Sequence, residues 1–293
     1  MMKLSHRLQI IADKIRQSET MADIGTDHGF LPVYLVGKGI CPWVVLTDVS
    51  PASLAKAEEN CRRFLQDRGS AVGGCGMCED TPEAADLKKY GFDLRAGDGL
   101  SVLTPGEVDV VVIAGMGGKL IRSILSQDPA LTCSFRRFVF QPRIGQGALR
   151  KWLLDNGFSI VAEDLVWEGS HIAEIITAQR SSEISAGQPL ITAGFEQISE
   201  GCCEDSVQLR IPPWIVNASG PVEEFLKRAI ASEQKKLEGV MMAEKRDRER
   251  EQQLCEDIYY LKGSLKEYVK AKEYRNGNQD EERNQIPYGS RNS

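Results

Sequence analysis

A short apolar run, Met21-Ala22-Asp23-Ile24, ends in an acid and passes through Gly25-Thr26-Asp27-His28-Gly29 into a segment of helical character. A strand that stops in a Gly-permitted turn at a helix N-terminus presents backbone N–H groups to a ligand. The same grammar repeats down the chain. Residues 43–48 form a second apolar run ending in Asp48, and Pro51 opens a helix reaching to about Gln66. A third strand, about 92–96, closes in Gly97-Asp98-Gly99. Residues 108–114 are continuously apolar, as a central strand buried on both faces would be, and end in Gly115-Met116-Gly117-Gly118. A fifth strand, 137–140, is followed by Gln141-Pro142-Arg143. Residues 158–167 and 171–178 are two strands at hairpin spacing. Strands separated by helices predict a doubly wound α/β sheet, mostly parallel, with a terminal antiparallel hairpin at one edge.

Residues 3–16 carry Leu4, Leu8, Ile11 and Ile15 at helical spacing. The basic side of that helix, which includes Arg7, reads as solvated, with RNA contact as the alternative. Residues 67–90 read as a Gly-, Cys- and acid-rich insertion, and 181–210 as an irregular linker. From 211 to 272 two apolar stripes, one through Leu226 and Ile230 and one through Leu254, Ile258 and Leu261, flank a charged run. They predict an antiparallel helical pair or one long coiled-coil-like helix. Residues 273–293 have the composition of a disordered tail.

No apolar run approaches the ~20 residues that span a bilayer, and the N-terminus lacks the apolar core of a signal peptide. The expectation is a cytoplasmic protein with no membrane partner. The net charge of -6 argues against nucleic acid, though a local basic patch can sit on an acidic protein. Eight cysteines are irregularly spaced, and Cys75-Gly76-Met77-Cys78 has no second pair to complete a zinc site, so no metal is expected.

The strand-end loops select among ligands. A dinucleotide fingerprint needs G-x-G-x-x-G, but Gly25 is followed by Thr26 and Asp27, and an acid there repels a pyrophosphate. S-adenosylmethionine has no phosphate; it carries an ammonium, a carboxylate and a sulfonium. Asp23 suits the ammonium. Asp48, 23 positions after Gly25, stands where an acid takes ribose hydroxyls. Asp98 can accept from an adenine amino group, and Gly115-Met116 leave bare backbone beside the reacting centre. Asp23, Gly25, Asp27, His28, Asp48, Asp98, Gly115 and Met116 are therefore the candidate donor-binding residues. For each acid singly, a turn or cap role is the structural alternative.

The pairing of Ala22-Asp23-Ile24-Gly25-Thr26-Asp27-His28 with Ile113-Ala114-Gly115-Met116-Gly117-Gly118 resembles the bacterial tRNA (adenine-22-N1)-methyltransferases. Leu4-Ser5-His6-Arg7-Leu8, Gly97-Asp98-Gly99-Leu100 and Gln141-Pro142 extend the likeness over about residues 3–180. The resemblance implies a Rossmann-like class I methyltransferase domain over 1–180 and a C-terminal helical, coiled-coil-like tRNA-holding domain over 211–272. It implies methylation of adenine N1 in tRNA. The C-terminal region could alternatively pack against a second copy, so the chain is read as a monomer or homodimer. A methyltransferase for another RNA or a small molecule, or a catalytically silent RNA-binding module, are the alternatives. Candidate catalytic residues are Asp27, His28, Met116, Gly117 and Gln141, the last at the base edge. Candidate RNA contacts are Arg7, Arg143, Lys227, Arg228, Lys235 and Lys236. The family's Q-P-N motif is Gln141-Pro142-Arg143 here, and an arginine suits phosphate rather than an amide's role.

Overall fold

The computed structural model describes residues 3–71, 87–184 and 203–284. They divide into two compact units, 1–212 and 213–293.

The first unit is a seven-stranded sheet of order β3-β2-β1-β4-β5-β7-β6. The strands are β1 (Met21–Ile24), β2 (Val44–Asp48), β3 (Phe92–Ala96), β4 (Val110–Met116), β5 (Arg137–Pro142), β6 (Phe158–Glu168) and β7 (His171–Arg180). β1 to β5 pair in parallel, and β7 runs antiparallel to both β5 and β6. The chain order reverses between β1 and β4, the switch point outside whose carboxyl ends ligands of such sheets bind. Val110 to Ile113 are fully buried, as a strand covered on both faces requires. Burying each such side chain stabilises the fold by about 1.5–3 kcal/mol.

Helix α1 (His6–Asp13) is shorter at both ends than the 3–16 apolar period: Ser5 caps its start through a hydrogen bond from Leu8 N to its Oγ, and Lys14 is its C-cap. α2 (Phe30–Gly37) follows β1, and α3 (Pro51–Ala71) follows β2, running past Gln66 into the stretch read as an insertion. α4 (Gly118–Gln127) follows β4, α5 (Pro129–Thr132) is a short turn, and α6 (Gln146–Asp155) follows β5. The rest of the expected insertion up to residue 86, including Cys75 and Cys78, lies outside the described residues. Residues 207–210, composed like a linker, form one helical turn, α7 (Val207–Arg210). It sits on α6, where a Cβ on Gly147 would lie 2.4 Å from the Glu204 carbonyl oxygen.

Arg150 explains that seating. Its guanidinium is fully buried; it donates to both carboxylate oxygens of Glu163, to Glu174, and to the carbonyls of Leu209 and Arg210. Arg137 is likewise buried and pairs with Glu19, while Arg136 pairs with Glu183.

In the second unit α8 (Val222–Met242) and α9 (Arg248–Asn284) pack as an antiparallel pair, with Lys272 Nζ 3.1 Å from Glu223 Oε2. Leu226, Ile230, Leu254, Ile258 and Leu261 are buried, the two stripes read from the sequence. α9 continues to Asn284, past residue 272 where the polar composition suggests a tail. It does so through Asn276, Gly277 and Asn278, which are poor helix formers, so neither composition nor propensity marks this end. Among the described residues no helix is long and apolar enough to cross a membrane.

Candidate methyl-donor site

The loop after β1 is shaped by backbone. Gly25, Asp27 and Gly29 all have positive φ, at 75°, 48° and 65°. Gly25 N and Thr26 N donate to the Thr47 carbonyl at 2.8 and 3.0 Å, binding the loop to β2. A Cβ on Gly25 would lie 2.2 Å from Met116 Cε, so the β1 and β4 loops touch.

Asp23 sits beneath this loop, 7% exposed. Its Oδ2 accepts a 2.7 Å hydrogen bond from Thr26 Oγ1. Burial pushes its pKa up to about 6; the Thr26 hydrogen bond opposes that shift, and the neighbouring Asp48 carboxylate adds to it. A buried carboxylate in this state gains from a cationic ligand.

Asp48, at the end of β2, accepts from Ser50 N at 2.8 Å and from Asp27 N at 3.3 Å. Asp98 is exposed and accepts from Gln127 Nε2 at 3.2 Å, while Gly97 N donates to the Asp48 carbonyl. His28 Nε2 lies 3.5 Å from Asp27 Oδ2, and the His28 ring stacks on Phe30 at 5.1 Å and 8°.

On the other side of the switch point, the β4–β5 register shifts between Ala114 and Met116. Arg143 N donates to the Met116 carbonyl at 2.8 Å, and Gly118 N to the Ile144 carbonyl at 2.6 Å. A Cβ on Gly118 would sit 2.2 Å from Gly145 O, which explains glycine there.

These segments enclose one cleft of about 720 Å³. Of the sequence candidates, Asp23, Gly25, Asp27, His28, Asp48, Asp98, Gly115 and Met116 line it, together with Arg7 and Arg143. Gly117 and Gln141 do not; Gln141 is 3% exposed and lies behind Gly115. The structure therefore does not present Gln141 as a base-edge residue. Its side chain is turned to Arg7 and Gly115 instead. Arg7 is also not a free cation: its Nε donates to Glu168 Oε1 at 2.7 Å. In the second unit, Lys227, Arg228 and Lys236 pair with Glu223, Glu224 and Glu233 of their own helix. Lys235 is exposed, and no ion pair engages it among the described residues. Phe30 and Glu168 line the cleft without a sequence signal beyond their neighbours; Phe30 follows directly on the loop motif. Among the described residues no group of three His, Cys, Asp or Glu side chains is placed to hold a metal ion.

The methyltransferase domain model matches residues 4–88 and 79–176, more than half of the chain. The chain belongs to the methyltransferase domain family. The matched span of this methyltransferase ends near the end of the sheet. It is 29% identical to the tRNA (adenine(22)-N(1))-methyltransferase of Bacillus subtilis over 185 residues, covering 63% of this chain and 68% of the relative. The structure of Streptococcus pneumoniae Sp1610 in complex with S-adenosyl-L-methionine shares 26% identity and a TM-score of 0.63, covering 90% of this chain and all of that one. The crystal structure of the Bacillus subtilis m1A22 tRNA methyltransferase TrmK has the same fold, with a TM-score of 0.67 at 23% identity over 90% of this chain and 100% of that chain. These likenesses fall on the family that the two loop motifs resemble.

Proposed function

We propose that this chain transfers a methyl group from S-adenosylmethionine to N1 of an adenine in tRNA, at position 22 by its likeness to the Bacillus subtilis enzyme. The observation that carries the donor assignment is Asp23. It is a buried acid with raised pKa lining the cleft, and among the described residues its side chain is hydrogen-bonded by the Thr26 hydroxyl alone. The ammonium of the donor answers that charge. Asp48, fixed by two backbone N–H groups, suits the ribose hydroxyls, and Asp98 suits the adenine amino group. The donor, when bound, supplies an electrophilic methyl group on its sulfonium.

Adenine N1 carries a free lone pair at neutral pH, so the chain has no proton to remove before transfer. Its contribution is alignment and exclusion of water. Met116 and the backbone of Gly115 border the reacting end of the cleft, and Asp27 and His28 form its rim. Carboxylates near that rim favour the cationic product ring. The target base must leave its stack or tertiary pair to reach the cleft. Arg143, exposed and lining the cleft, suits a phosphate, and the coiled-coil-like second unit is the proposed tRNA-holding module, with Lys235 one of its exposed cations. The working compartment is the cytoplasm, where tRNA is found.

The test is to supply methyl-labelled S-adenosylmethionine with tRNA, another RNA, or no acceptor. Label entering tRNA alone supports the proposal. Label in another RNA, or donor binding without transfer, contradicts it.

A further inference from the structure

Gln141 is a buried carboxamide with an unusual set of partners. Its Oε1 accepts two hydrogen bonds, from Arg7 Nη1 at 2.8 Å and from Gly115 N at 3.2 Å. Its Nε2 donates to the Pro142 carbonyl at 3.3 Å. Arg7 is anchored a second time, through Nε, on Glu168 at the end of β6.

Gly115 is the point at which β4 slips against β5, and its φ is +78°. A bulge takes its extra residue out of the ladder, so the freed N–H needs another acceptor. Gln141 Oε1 is that acceptor. The next residue, Met116, lines the cleft and reaches the Gly25 loop.

We infer that Gln141 and Arg7 are a positioning pair that holds the Gly115 bulge, and through it Met116, against the Gly25 loop, and that neither side chain meets the target base. This rests on the methyl-transfer reading for its kinetic consequence, though not for its geometry. A carboxamide reading a base edge uses its oxygen and its nitrogen. Here the oxygen is filled by two protein donors and the nitrogen is turned to Pro142. Arg7 serves the pair by fixing which end of the amide faces Gly115.

The test uses the full chain and four variants: Arg7→Ala, Gln141→Ala, their double, and Gln141→Glu. Amide hydrogen exchange at Gly115, followed by NMR without tRNA, reads the bulge directly. Gln141→Ala and Arg7→Ala should each speed it by on the order of 10-fold, as for one lost hydrogen bond. In turnover each should lower kcat by about 100-fold, with KM for tRNA and donor affinity little changed. The double variant should be no slower than the worse single, because both act on one element. Gln141→Glu keeps an acceptor for Arg7 and Gly115, replaces the amide N–H donors by a carboxylate whose charge Arg7 offsets, and should recover most of the rate lost in Gln141→Ala.

Unchanged exchange at Gly115 in Gln141→Ala overturns the inference, whatever the substrate. So does Gln141→Glu turning over as slowly as Gln141→Ala, which would mean the amide nitrogen touches the base. A raised KM with a shallower salt dependence in Arg7→Ala also overturns it, in favour of a phosphate contact. If the wild type transfers no methyl to tRNA while Gly115 exchange responds as expected, the reaction assignment fails and the positioning pair stands.

Discussion

The Met116 methyl lies 2.2 Å from the point at which a side chain on Gly25 would begin. Two loops more than 90 positions apart in sequence thus meet in the cleft, and the Met116 side chain occupies the space a side chain at position 25 would need. Gly25 is doubly constrained, since its φ of +75° also disfavours any Cβ.

Gly25→Ala should therefore displace Met116 and strain the loop. The expected stability loss is about 1 kcal/mol, because Met116 is the far end of a flexible side chain and can give way. Activity should fall far more, by about 100-fold in kcat/KM. Thermal unfolding and steady-state kinetics on the same preparation separate the two effects.

Asp23 makes the apo protein pH-sensitive. Its folded pKa of about 6 lies above its ordinary value of 3.8, so the native state binds more protons than the unfolded one in between. The stability that Asp23 contributes is fully present below pH ~4 and is lost as pH rises through ~6. Asp23→Asn should flatten that part of the stability profile. Donor binding has the opposite sign: the ammonium favours the carboxylate, so affinity rises with pH up to ~6 and then levels, with proton release below it. Calorimetry in buffers of different ionisation enthalpy measures the release, and Asp23→Asn should abolish both it and most of the affinity.

Arg150 holds β6, β7 and the residue 209–210 carbonyls together through charges removed from water. Arg150→Ala leaves Glu163 and Glu174 buried without their cation and should cost about 3–5 kcal/mol, read from urea denaturation. A double replacement of Arg150 and Glu163 by apolar residues of similar volume should cost less than Arg150→Ala alone.

On α8, Lys235 and Lys227 should differ. The Lys227 ammonium is 2.8 Å from Glu223, whereas Lys235 has no ion-pair partner among the described residues. Lys235→Ala should raise KM for tRNA and lower the slope of log affinity against log salt by about 1. Lys227→Ala should change both less. Equal effects would place the pair Lys227–Glu223 on the RNA as well.

The sheet and its loops were legible because a doubly wound fold writes them locally. An apolar run such as 108–114 must be buried on both faces, and the Gly and Asp residues that end such runs are confined to the strand ends by geometry. Asp23, Asp48, Asp98 and Gly115 meet at one cleft for that reason alone. Gln141 and Arg7 show the limit. Their residue types suit a base edge and a phosphate, but which partner a long polar side chain takes depends on tertiary neighbours, here the Gly115 bulge and Glu168. Arg150 is a further example: nothing in its residue type or its neighbour Lys151 marks it as fully buried, which its partners Glu163 and Glu174 make possible. The end of α9 is not legible either: the helix runs to Asn284 through Asn276, Gly277 and Asn278, where both composition and propensity argue against it.

The central claim is tested most directly by mapping the methylated nucleoside. Unmodified tRNA with an adenine at position 22 is incubated with the protein and labelled S-adenosylmethionine, digested, and resolved by mass spectrometry. The account predicts 1-methyladenosine at that one position, lost when the adenine is replaced by guanine. Label on guanine, on an adenine nitrogen other than N1, or on no nucleoside of tRNA would contradict it.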